Sequence, residues 1–176
     1  MIRFILRHRA RIDRLIRLAG AVAFLGAVAA AILLENDDWN AQRFLLVYVA
    51  PLFLFGAMWA RDRLAVLDTL APSVVALDAL VFAAGALRIA GGWGVLPYSG
   101  HMLFLSYAAA TPGRPWLRLA ALALIAMTTW FKLVLWHDPR SWLLGLGAGL
   151  ALAMLRLVVA RRADHAHLVA RPRTFR

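Results

Sequence analysis

The residues able to do chemistry in this chain fall in two short polar stretches. One is Ser99-Gly100-His101, preceded by Pro97 and Tyr98; the other is residues 132–141 (KLVLWHDPRS), which holds Lys132, His137, Asp138 and Arg140. A histidine ring can carry a proton near neutral pH, or attack phosphorus when neutral. Ser99 and the backbone N–H groups after it would open one helix, and Asp138-Pro139-Arg140 would open another, and helix N-termini attract anions. Lys132, Arg140 and Arg88 add full positive charges. Such a set suits phosphoryl transfer, which needs donors around three oxygens, a nucleophile, and an acid for the departing alkoxide. Asp78 and Asp138 are the carboxylates that could orient a histidine. With no Cys in the chain, thiolate nucleophiles, disulfides and Cys-ligated metal sites are excluded, and no metal or cofactor is expected.

Each of these residues also has a plainer use. Ser99 can cap a helix, and Asp138 followed by Pro139 is a common N-cap arrangement. Lys132 can snorkel from a helix end. Trp93, Trp116, Trp130, Trp136 and Trp142 suit an interfacial belt, and Gly145, Gly147 and Gly149 suit a close contact between helices.

The elements that must carry these stretches are membrane helices. The 176-residue chain is 63% hydrophobic with a mean hydropathy of +0.72, more apolar surface than one soluble core of this size can bury. Residues 18–34 form an uncharged apolar run of spanning length, and residues 44–60 a second. The third, residues 64–87, contains Asp68, Pro72 and Asp78; Pro72 is expected to bend it, and Asp78 to face a partner rather than lipid. A short fourth segment at residues 101–110 follows a Gly-rich loop, and residues 116–136 and 142–160 supply the fifth and sixth. The expected fold is therefore an all-α, polytopic six-helix transmembrane bundle. Residues 1–17 form a basic amphipathic N-terminal segment on an anionic membrane face, residues 18–160 the membrane domain, and residues 161–176 a flexible basic cytoplasmic tail. A cleaved signal peptide is the rival reading of residues 18–34; the length of the apolar run favours retention.

Arginine placement orients the bundle. Six arginines precede residue 18, and Arg61, Arg63, Arg114, Arg118 and five tail arginines lie on the same side by helix count. That side is assigned as cytoplasmic, with both termini on it. The formal net charge of +11 is read as topology and contact with anionic lipid head groups, not as nucleic-acid binding. Both polar stretches then open on the outer face; Ala, Leu and Arg usage points to a GC-rich bacterial genome, and the expected location is a bacterial inner membrane.

Ser99-Gly100-His101 at the start of the fourth helix, with His137 at the junction of the fifth and sixth, resembles the type 2 phosphatidic acid phosphatase (lipid phosphate phosphatase) superfamily. That family has six spans, an outward active site, a Pro-Ser-Gly-His motif, and a second motif of Ser-Arg, five residues, His, three residues, Asp. The resemblance implies that His137 is a nucleophile forming a phosphohistidine, His101 the general acid, and Ser99 a phosphate ligand. The chain departs from the pattern in several places. Tyr98 replaces the motif Pro, Phe131 stands at the Arg position with Lys132 beside it, Ser141 stands at the Asp position, and Arg88 is the sole cation before Ser99 in its loop. The expected activity is hydrolysis of a lipid-linked phosphate at the outer leaflet. The alternatives are a head-group phosphotransferase using the same intermediate, and a non-catalytic lipid-binding or assembly protein of the same fold.

Overall fold

The computed structural model describes residues 2–33, 49–90 and 98–169. All regular structure among them is helical: α1 (Ile2–Arg7), α2 (Arg9–Leu33), α3 (Ala50–Ala65), α4 (Pro72–Ala90), α5 (Gly100–Ala110), α6 (Pro115–Trp130) with a π-helical continuation (Phe131–Leu135), and α7 (Pro139–Val169). Arg9–Leu33, Pro115–Leu135 and Pro139–Ala163 are each long and apolar enough to cross a membrane. Pro72–Gly85 is a shorter apolar helix, and α5, at 11 residues, rises only about 16 Å. The acidic connector Glu35, Asp37 and Asp38, the loop glycines Gly91, Gly92 and Gly94, Trp93, Pro97 and the last three arginines lie outside the described residues.

Several boundaries differ from the sequence reading, each for a local reason. The expected third helix is two: α3 ends at Ala65, and Pro72 starts α4 rather than bending a longer helix. Proline has no N–H to give a preceding turn and disfavours helical geometry in the residue before it, whereas the first helical position suits it. Ala71 accepts from the N–H groups of Val74 and Val75 at 3.0 and 3.1 Å, which closes the first turn. Arg61 and Arg63, which fall between the expected spans 44–60 and 64–87, sit inside α3. The basic segment and the first apolar run form one helix from Arg9 onward, and α7 continues through Arg161 and Arg162 into the expected tail.

The chain divides into two compact units. The first comprises Met1–Asp68 and Pro112–Asp138, the second Thr69–Thr111 and Pro139–Arg176. In the first, α2 packs on α3 and α3 on α6. The inward face of α2 is Gly20, Ala27 and Ala31, while Leu18, Val22, Leu25 and Ile32 point outward. Small residues inside and large apolar ones outside is the arrangement of helices whose outer surroundings are lipid. Gly20 is required there, because a Cβ on it would lie 2.6 Å from the Cβ of Ala57.

In the second unit α5 lies between α4 and α7, with residues 102–108 all buried. Close approach of α7 to α5 depends on two glycines. A Cβ on Gly145 would meet the carbonyl oxygen of Ser99 at 2.5 Å, and one on Gly149 would collide with Ser106 Oγ and the Leu103 carbonyl. Nothing lies near Gly147. Two of the three glycines therefore make the helix contact expected of them.

Candidate functional site

The expected site residues fall in both units, and each group has its own geometry. In the first unit, α6 passes into the π-helical turn at Phe131, where Trp136 N–H donates to the Phe131 carbonyl at 3.0 Å. The chain then reverses at His137, whose φ of 50° makes it the one non-glycine residue with positive φ among those described. Histidine tolerates this left-handed region better than most residues, but glycine would hold it without strain. The reversal is fixed from both sides: Asp138 N–H donates to the Lys132 carbonyl at 2.8 Å, and Lys132 Nζ meets Asp138 Oδ2 at 3.1 Å. Lys132 is buried, with its ammonium 5.2 Å from the Trp136 ring centroid, so it is an internal cation held by a carboxylate and a π face rather than a snorkelling one. His137 itself is exposed.

In the second unit, Ser99 caps α5. Its Oγ accepts from Met102 N–H at 3.4 Å, its own N–H donates to the Ser141 carbonyl at 2.9 Å, and it is only 4% exposed. Gly100 is the buried first residue of α5, and His101, in the same turn, is half-buried. Arg140 is exposed in the first turn of α7. Arg88 belongs to the last turns of α4, and its side chain lies outside what is described.

Asp78 is buried, as an acid within an apolar helix must be when it avoids lipid, and among its partners are two residues that the sequence reading passed over. Arg156 of α7 donates from Nε to Oδ1 at 2.8 Å and from Nη2 to Oδ2 at 3.4 Å, and Tyr107 of α5 donates its hydroxyl to Oδ1. All three side chains are almost fully inaccessible. This cluster ties together α4, α5 and α7. Arg156 is thus a second charge buried within an apolar helix, of opposite sign to Asp78. Its signal was present in the sequence as a lone arginine between Leu155 and Leu157.

The structure thus joins Lys132 to Asp138 around His137, joins Ser99 to the start of α7, and gives Asp78 to Arg156 and Tyr107. His101 and His137 belong to different units. Among the described residues no three His, Asp or Glu side chains converge as a metal site would need. Comparison with family models, with curated proteins and with solved structures finds no match for this chain.

Proposed function

We propose that this chain is a six-span protein of a bacterial inner membrane, both termini cytoplasmic, that hydrolyses a lipid-linked phosphate at the outer leaflet through a phosphohistidine. His137 attacks phosphorus, the bond from phosphorus to the lipid alkoxide breaks, and His101 gives the alkoxide its proton. Water then attacks the phosphohistidine, returning its proton to His101 and releasing inorganic phosphate. Lys132, Arg140 and Arg88 supply positive charge for the phosphate oxygens, and the first turn of α5, from Gly100, supplies backbone donors.

The observation that carries this reading is the conformation of His137. A non-glycine residue is held at positive φ with its ring exposed, in a reversal pinned by the Lys132–Asp138 pair. Backbone strain of this kind concentrates at functional sites, and a purely structural reversal would be served better by glycine. The family resemblance supports the same residue from its motif.

Purified protein incubated with lipid phosphates and diphosphates labelled in the phosphorus tests the reading. Wild type should release phosphate and trap acid-labile label on His137, while His137→Ala does neither and His101→Ala turns over slowly. Equal turnover by all three overturns the mechanism.

A second reading, a non-catalytic lipid-binding or assembly protein, is favoured by one observation. The Ser99 hydroxyl is buried and already engaged as a helix cap, which accounts for that residue without a phosphate. It predicts no trapped label in any variant.

A further inference from the structure

We propose that an arginine-lined cavity at one end of the first unit binds the phosphate-bearing head group of an anionic phospholipid. The cavity, of about 690 Å³, lies where α1, the first turn of α2, the last turns of α3 and the start of α6 converge. Its cationic residues are Arg7, Arg9, Arg61 and Arg114, and its acidic ones are Asp13 and Asp62. None of the residues assigned to phosphoryl transfer lines it.

The ion pairs sort these charges into two kinds. Asp13 holds Arg61 at 2.7 Å and also Arg17 at 2.5 Å, and Asp62 holds Arg114 at 3.0 Å. These pairs tie α2 to α3 and α3 to the residue before α6, and so fix the walls. Arg7 and Arg9 have no carboxylate partner among the described residues. Arg9 donates from Nη2 to the Ala65 carbonyl at 2.6 Å, which anchors its guanidinium at the C-terminal end of α3. Arg7 is exposed and pairs with nothing described. The cavity therefore carries a framework of carboxylate-paired arginines and two more with no carboxylate partner among the described residues, a complement for a single phosphodiester anion.

The remaining wall selects a lipid over a soluble phosphate ester of the same chemistry. Leu6, Met58 and Trp116 line the cavity beside the arginines, and Trp116 is 45% exposed at the start of α6. Tryptophan at the end of an apolar helix suits the depth of the lipid glycerol backbone. Two of the converging helices, α2 and α6, belong to segments able to span a membrane, so their ends lie at head-group level. A cavity of this volume falls in the range of small-ligand sites, roughly 300 to 1,000 Å³, and is large enough for a head group and the first acyl carbons.

Native mass spectrometry of the full-length chain in detergent micelles tests the site, with dioleoyl phosphatidylglycerol, dioleoyl phosphatidylcholine and glycerol phosphate as probes. One phosphatidylglycerol should remain bound at concentrations where phosphatidylcholine does not, and glycerol phosphate at the same concentration should not displace it. The double variant Arg7→Gln/Arg9→Gln should weaken retention by about thirtyfold, the effect of removing two charges from an anionic lipid site. Arg161→Gln/Arg162→Gln, which removes two exposed arginines from α7, should leave it unchanged. Should the Arg7/Arg9 variant lose helix content by circular dichroism, Trp116→Ala replaces it, with loss of phosphatidylglycerol retention again expected. Equal retention of the two lipids overturns the proposal. So does displacement by glycerol phosphate, an unaffected cavity variant, or an equal loss in the α7 variant.

Discussion

Arg156 of α7 donates to Asp78 of α4 from Nε at 2.8 Å, with both side chains less than a tenth exposed. Two opposite charges buried in apolar helices are costly to desolvate, and the mutual attraction recovers that cost only while both are present. Replacing one alone strands the other. Asp78→Ala or Arg156→Ala is therefore expected to destabilise the protein by about 3 to 5 kcal/mol. The double variant Asp78→Leu/Arg156→Met should cost less than either single change. Thermal unfolding in detergent, followed by circular dichroism, measures the cycle; additive losses would show that the pair is not coupled. Tyr107→Phe, which removes only the hydroxyl donated to Asp78, is expected to cost about 1 to 2 kcal/mol.

The glycines of α7 provide an internal control for the packing of the second unit. Gly149→Ala drives a methyl group into Ser106 Oγ and the Leu103 carbonyl, and the neighbouring groups are backbone and a buried hydroxyl that already donates to the Met102 carbonyl at 2.6 Å. A loss of about 1 to 3 kcal/mol is expected, as for other overpacked contacts. Gly147→Ala meets no atom within 4 Å and should instead stabilise the helix by about 0.5 to 1 kcal/mol. Paired thermal melts decide it: if both substitutions shift the midpoint in the same direction, α7 does not approach α5 as described.

Much of this architecture was legible because apolar runs and helix breakers are local signals. The helix starts at Gly100 and Pro139 follow from Ser99 as a cap and from a proline that suits only a first turn. Pro72 reads as a bend rather than a break because the run on either side is apolar, and hydropathy alone does not separate one bent helix from two. Asp78 was legible as a charge needing a partner, yet the partner lies 78 positions away on another helix, a distance that no periodicity reports. The same holds for the pairing of Asp13 with Arg61 across α2 and α3. His137 was picked out by residue type and by motif, but its positive φ was not, since histidine is not the residue that marks such a reversal.

The Lys132–Asp138 pair should matter less to stability than to the shape of the reversal. Asp138 has a side chain 40% exposed, so water screens the pair and compensates much of what Asp138→Asn removes. A stability loss of about 1 kcal/mol or less is expected. If the pair positions His137, the same variant should lower the rate of phosphohistidine formation while leaving helix content unchanged. Lys132→Met goes further, because it leaves Asp138 without the cation and removes the charge against Trp136. Single-turnover labelling with each variant separates the two roles; a rate identical to wild type in both would remove the pair from the mechanism.

His137 itself allows stability and chemistry to be read in opposite directions. At φ 50° a glycine gains what any side chain loses, so His137→Gly should be more stable than His137→Ala by about 1 kcal/mol. His137→Val should be the least stable of the three, since a β-branched residue fits that region worst. If the ring is the nucleophile, phosphate release should be abolished in all three regardless of their order of stability. Thermal melts and phosphate release, measured on the same preparations, therefore distinguish a histidine kept for its ring from one tolerated at a turn. An active His137→Gly would mean that the ring takes no part in the reaction.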